Sequence, residues 1–131
     1  MNNGDMTAAG AVTSYSDPRL KEDITPIKSA LDVVRGWNGV KFRWKQTSVI
    51  GNPGKEDYGV LSPDIQKTAP ELVKDSVWDS PDGDKYKTVD YPKIAPFLIE
   101  AIKEQQQTID EQRVLIEKLQ QQVDQLASLM K

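Results

Sequence analysis

Residues 98–130 read LIEAIKEQQQTIDEQRVLIEKLQQQVDQLASLM, a stretch with neither Gly nor Pro and rich in Gln, Glu, Leu and Ile. Its apolar members recur at heptad spacing. With Ile102, Ile109, Ile116, Val123 and Met130 at position a, position d falls on Leu98, Gln105, Gln112, Leu119 and Leu126. The register runs unbroken for more than four heptads, which is the pattern of a coiled coil. At ~1.5 Å per residue such a helix extends ~50 Å. One amphipathic helix lying on its own domain is the alternative, but the chain ahead of it is too short to cover that length. Partner helices are therefore expected. Two Gln at d put amides into the seam, where three or more symmetric copies satisfy one another and set the register at some cost in stability. The β-branched a and Leu d choice leans instead towards two strands. The pattern establishes self-association and leaves the number of chains open.

Working back towards the N-terminus, the chain is helical from about Tyr91, with Pro96 expected to kink or delay the long helix. Tyr86 to Val89 and Val77-Trp78 flank the turn Pro81-Asp82-Gly83, the pattern of a β-hairpin. Ser62-Pro63 reads as a cap and proline opening a short helix, and Tyr58-Gly59-Val60-Leu61 as a short buried strand. Residues 46–57, with Gly51, Pro53 and Gly54, read as an exposed loop. Val40, Phe42 and Trp44 alternate with Lys41, Arg43 and Lys45, the period of a half-buried strand, and Asn38-Gly39 ahead of it is a turn signal. Ser29 with Asp32 resembles a capping box for a short helix that Gly36 stops, its buried face being Ala30, Leu31, Val33 and Val34. The expected class is α+β: a small mixed domain of short helices and strands, then a long C-terminal helix forming a coiled coil. The expected divisions are a loose polar stub of a preceding polypeptide over 1–15, a globular domain over 16–94 and the coiled-coil helix over 95–131.

Composition narrows the chemistry. The 131 residues carry 17 basic and 20 acidic side chains, net −3, without the basic balance of a general nucleic-acid binder. There is no Cys, hence no disulfide framework or thiolate metal site, and no His, which removes Ser-His-Asp and Cys-His catalysis and His-based zinc sites. Any general base must be Lys, Asp, Glu or Tyr. No metal or cofactor ligand cluster stands out. No apolar run reaches the ~20 residues of a bilayer span, and MNNGDMTAAG has neither the basic nor the apolar region of a signal peptide. These features point to a soluble chain made inside the cell.

Ser16-Asp17-Pro18-Arg19-Leu20-Lys21 is the segment that bears on function. Asp17 is placed to cap a turn and Pro18 suits its first position. On spacing alone, a Ser and a Lys five residues apart are ordinary solvated side chains on a capped turn. Six blocks of sequence change that reading. The segment resembles the S-D-x-R-L-K signature of the phage intramolecular chaperone family, also described as the S74 peptidase or endosialidase-type chaperone domain. Leu31-Asp32-Val33-Val34 with Gly39-Val40-Lys41-Phe42-Arg43-Trp44, Tyr58-Gly59-Val60-Leu61, Pro70-Glu71-Leu72-Val73, Val89-Asp90-Tyr91 and Leu98-Ile99-Glu100-Ala101-Ile102-Lys103-Glu104 resemble further family blocks, in family order. Ser62-Pro63-Asp64 departs from the family's usual Ala-Gln-Glu, so no role of that Gln or Glu carries over.

The resemblance implies a homotrimeric C-terminal chaperone of a phage tail fibre or tailspike that releases itself by autoproteolysis. It implies a catalytic dyad of Ser16 and Lys21, with Asp17 holding the turn and Arg19 in a structural or charge role. For Lys to act as base its amine must be neutral, which burial or a neighbouring cation favours; Arg19 supplies such a cation if it points the same way. Ser16 then attacks a neighbouring carbonyl. The expected scissile bond is Tyr15–Ser16, by an N-to-O acyl shift and hydrolysis of the ester; Ser16–Asp17 is the other choice. The implied partners are further copies of the chain and the upstream fibre or spike polypeptide, with no nucleic acid, membrane, cofactor or small-molecule substrate. The implied location is the virion tail, after synthesis in the host cytoplasm. Three other readings remain: a trimerisation tip that never cleaves; a receptor- or glycan-binding tip using Trp37, Trp44, Trp78 and Tyr86 as a stacking surface; and the same self-cleaving domain in a eukaryotic membrane-bound transcription factor, which the lack of a membrane span disfavours.

Overall fold

The computed structural model describes residues 6–76 and 79–131. After an extended N-terminal segment and a 3-10 turn at Pro18–Leu20 come α1 (Ala30–Val34), β1 (Val40–Arg43), β2 (Glu56–Gly59), α2 (Ser62–Thr68), β3 (Val73–Asp75), β4 (Lys87–Val89) and α3 (Ile94–Leu129). Further 3-10 turns at Pro70–Leu72 and Tyr91–Lys93 lead into β3 and α3. The α+β class expected from the sequence is the one observed.

β1 and β2 form an antiparallel hairpin with Val40 opposite Gly59 and Arg43 opposite Glu56. Val40 and Phe42 turn partly inward while Lys41 and Arg43 face solvent, where both reach the Glu56 carboxylate at 3.0 and 3.4 Å. The turn before this hairpin falls at Arg35-Gly36 rather than at Asn38-Gly39; the Asn38 amide instead donates to Asp64 at 3.3 Å, tying the entry of β1 to α2. The second strand also ends earlier than its apolar run suggests. Tyr91 Oη accepts the Val60 N–H at 3.1 Å, which takes that donor out of the ladder, and the Leu61 carbonyl is already committed to the first turn of α2. Leu61 is exposed, not buried, and occupies the N-cap of α2, so Ser62 is not the cap. Gly59 is required here: a Cβ on it would lie 2.5 Å from Tyr91 Oη.

β4 is one strand of the expected second hairpin, but its partner is β3, with Val73 opposite Val89 and Asp75 opposite Lys87. The intervening turn does fall at Ser80–Gly83, closed by the Gly83 N–H on the Ser80 carbonyl. Val77 and Trp78, expected as the first strand, lie outside the described residues.

The core is small. Ile65, Ala69 and Leu72 are buried, and Val33, Trp37, Val60, Val73, Val89, Ile94 and Phe97 pack around them. Trp37 meets Phe97 edge-on, with ring centroids 5.5 Å apart, and its Nε1 donates to Thr68 Oγ1, which in turn donates to the Val33 carbonyl. α1, α2 and the start of α3 are thereby joined.

α3 runs for 36 residues and continues through Pro96, so the helix is not delayed beyond that proline. Pro96 sits in the first turn, where its missing N–H has no intrahelical partner to lose. The helix meets its own domain through Ile94, Phe97, Ala101 and Glu104, at three- and four-residue spacing. The a and d side chains lie on a different face. Ile102, Ile116 and Leu126 are 64%, 65% and 61% exposed, so this domain does not cover the apolar seam. Among the described residues no helix is long and apolar enough to cross a membrane.

Candidate functional site

The Ser16–Lys21 segment folds as its residue types dictate. Pro18 presets the backbone angle at the start of the 3-10 turn, and Asp17 at the N-cap accepts the Arg19 N–H at 2.9 Å. The Leu20 and Lys21 amides close the turn on the carbonyls of Asp17 and Pro18, each at 3.0 Å. This reversal brings two side chains five positions apart into contact: Lys21 Nζ donates to Ser16 Oγ at 3.0 Å.

Arg19 does not face Lys21. Its guanidinium forks onto Asp17, with Nη2 2.8 Å from Oδ2 and Nε 3.1 Å from Oδ1. Its charge is therefore paired within the turn, not directed at the Lys21 amine. The Arg19 side-chain hydrogen bond, followed by its backbone N–H, holds the Asp17 carboxyl below the usual Asp range, and the same contact raises the already basic guanidinium. A depressed folded pKa means that the Asp17–Arg19 tie is fully present above the unfolded Asp value of ~3.9 and is lost as pH falls through the lower folded value. Carbon-detected NMR titration of the Asp17 carboxyl should give a midpoint below that of an unstructured Asp, and Arg19→Ala should raise it towards the ordinary range, the backbone N–H of residue 19 keeping part of the shift. An ordinary midpoint in the unsubstituted chain would show that the fork does not persist in solution.

What surrounds the pair is mostly water. None of residues 6–29 is buried; Tyr15 is 94% exposed, and Leu20 and Ile24 are 70% and 69% exposed. The strap from Ser16 to Ser29 thus projects from the domain, rooted at the start of α1. Among the described residues no three acidic side chains converge as a metal site.

Of the aromatic residues considered for a stacking surface, Trp37, Trp44 and Tyr86 are not brought together. Trp37 is part of the core, Tyr86 donates to the Asp82 carboxylate in the β3–β4 loop, and Trp44 lines a groove of about 590 Å³ with Phe42, Tyr58, Leu61, Pro63 and Tyr91. Trp78 lies outside the described residues. Two long-range contacts, Tyr91 to Val60 and Glu104 to the first amides of α1, have no signal in the sequence, because their members are 31 and more than 70 residues apart.

A family model described as chaperone of endosialidase matches residues 16–74, from Ser16 into β3. Residues 16–74 belong to the endosialidase-chaperone family. The same chain is 33% identical over 88 residues to the long tail fiber protein Gp37 of Enterobacteria phage K3 and to that of Enterobacteria phage T2. The aligned part is 67% of this chain but only 7% and 6% of those proteins, so the chain spans a small fraction of the relatives it matches. The endosialidase-chaperone match opens on the serine whose hydroxyl Lys21 contacts, and it takes in the turn, α1, the first hairpin and α2.

Proposed function

We propose that this chain is the C-terminal intramolecular chaperone of a phage tail fibre or tailspike, that it assembles as a trimer along α3, and that it then frees itself by Ser-Lys autoproteolysis. In this reading residues 1–15 belong to the upstream fibre or spike, 16–94 form the chaperone and protease domain, and 95–131 form the coiled coil. The observation that carries it is the 3.0 Å contact between Lys21 Nζ and Ser16 Oγ on a turn whose geometry is already set by Asp17 and Pro18.

The chemistry follows from that contact. A neutral Lys21 amine takes the Ser16 hydroxyl proton, and Oγ attacks the Tyr15 carbonyl carbon through a small ring. The Tyr15–Ser16 C–N bond breaks, the proton passes to the departing Ser16 amine, and an ester joins Tyr15 to Oγ. Water cleaves the ester, leaving a Tyr15 carboxylate and Ser16 as a new N-terminus with its hydroxyl restored. Because nucleophile and carbonyl are held in one chain, high effective molarity replaces substrate binding. Asp17 and Arg19 keep the turn closed.

Assembly supplies what the single chain lacks. Neighbouring copies that cover the strap would remove the surrounding water, and burial of that kind is what favours a neutral amine. The seam supports a trimer in two ways. Leu115 and Leu129, at heptad position g and both more than half exposed, widen the a/d stripe beyond a two-stranded contact. The Gln106, Gln107 and Gln120 amides donate to carboxylates one turn ahead, whereas among the described residues Gln105 and Gln112 have no partner within the chain and stand ready to bond with their symmetry mates.

Intact-mass spectrometry over time tests the proposal. The unsubstituted chain should lose residues 1–15 and leave a product beginning at Ser16, while Ser16→Ala stays at full mass. A full-length mass that persists after prolonged incubation of the assembled protein would instead make this a non-cleaving trimerisation tip.

A further inference from the structure

α1 has only five residues, too few to stand as a helix without outside support. Its own N-cap does not provide that support. Ser29 is left-handed, with φ 55° and ψ 36°, and its side chain makes no cap bond. The first two orphan amides of α1 donate instead to Glu104 of α3, Ala30 N–H to Oε1 at 2.9 Å and Leu31 N–H to Oε2 at 2.8 Å. Both carboxylate oxygens are used, on the positive end of the helix, and the contact is partly buried. Each helix contributes one buried residue beside this contact, Ala30 in α1 and, one turn before Glu104, Ala101 in α3.

The position of Glu104 gives this tie a consequence. It stands between Ile102 and Gln105, the first a and d residues past the globular domain. Closing the seam there immobilises the helical turn that carries Glu104. The other end of the tie is the root of the strap, because Ala30 follows directly on the uncovered segment that holds Ser16 and Lys21. Resting on the self-cleavage reading above, we infer that Glu104 is a positioning residue for it: through the first turn of α1 it passes closure of the coiled coil to the Ser16–Lys21 strap.

Three full-length proteins test this: unsubstituted, Glu104→Gln, and Glu104→Gln with Ser29→Asp. Glu104→Gln keeps shape and helix propensity but gives up one acceptor and the charge. It should remain the same oligomer by sedimentation, lose hydrogen-exchange protection at Ala30 and Leu31, and cleave at least about tenfold more slowly. Asp is a favoured N-cap in the extended conformation, which residue 29 can take once the carboxylate of Glu104 no longer holds the amides that follow it. Adding it at position 29 should restore protection at Ala30 and Leu31 while the rate stays low, since α1 is then capped but no longer tied to α3. Recovery of the rate by this local cap would reduce Glu104 to a stabiliser of α1 and overturn the inference. So would a Glu104→Gln protein that cleaves as fast as the unsubstituted one. An unsubstituted chain that assembles and never cleaves removes the self-cleavage reading, and this inference with it.

Discussion

Lys21→Met should leave the assembled protein at its full-length mass under conditions in which the unsubstituted chain is cut to completion. Methionine keeps the length of the side chain and removes the amine that sits 3.0 Å from Ser16 Oγ. A positioned general base contributes about 10²–10⁴ in rate, so the loss should reach at least the lower end of that range. Lys21→Arg separates the two roles a cation might have there. Arginine keeps the positive charge and can donate to Ser16 Oγ, but it does not give up its proton in proteins. It should be as inactive as methionine. Because Lys21 is exposed and takes no part in the core, neither change should alter oligomeric state or thermal stability appreciably. Cleavage by Lys21→Arg at more than a tenth of the normal rate would mean that Lys21 serves through charge and that the base lies elsewhere.

Ile109→Asp combined with Ile116→Asp should abolish both assembly and cleavage. These residues occupy successive a positions, well beyond the part of α3 that touches its own domain. In a single chain the substitutions are nearly free, since both side chains already face water. In a seam they bury one carboxylate per chain in each of two layers, at an effective penalty on the order of several kcal/mol per ion. Sedimentation should show monomers, and circular dichroism a folded domain with a frayed helix. Ser16 and Lys21 are untouched in this protein, so its mass should still remain at full length. Efficient cleavage by such monomers would break the link between assembly and chemistry.

The fold was legible where interactions are local. The seam could be read from spacing because an α-helix repeats every 3.6 residues and its exposed face needs no information from elsewhere. The turn at Pro18–Leu20 was equally open to reading, since Asp17 caps an amide two residues away and Pro18 sets its own backbone angle. Short strands were read less well. β3 has three residues, too few for alternation to register, and the apolar pair Val77-Trp78 drew the expected pairing away from it. The apolar run Tyr58–Leu61 placed β2 two residues late, because the donor that ends the strand, Val60 N–H, is taken by Tyr91 far along the chain. The capping box expected at Ser29 and Asp32 failed for a related reason. Ser29 is left-handed and makes no side-chain cap bond, and Glu104 occupies the helix amides instead.

The sequence by itself determined the class of the fold, the long helix with its uncovered apolar face, and the six-residue turn whose ends bear Ser16 and Lys21. Each depends on residues within one or two turns of one another, so local stereochemistry and periodicity suffice. Only the tertiary structure decided which face of α3 meets its own domain, that β3 pairs with β4, that Arg19 is held by Asp17, and that Glu104 caps α1. These are choices among distant or competing partners. They are settled by which groups a common core brings within hydrogen-bonding distance, and no spacing along the chain records that.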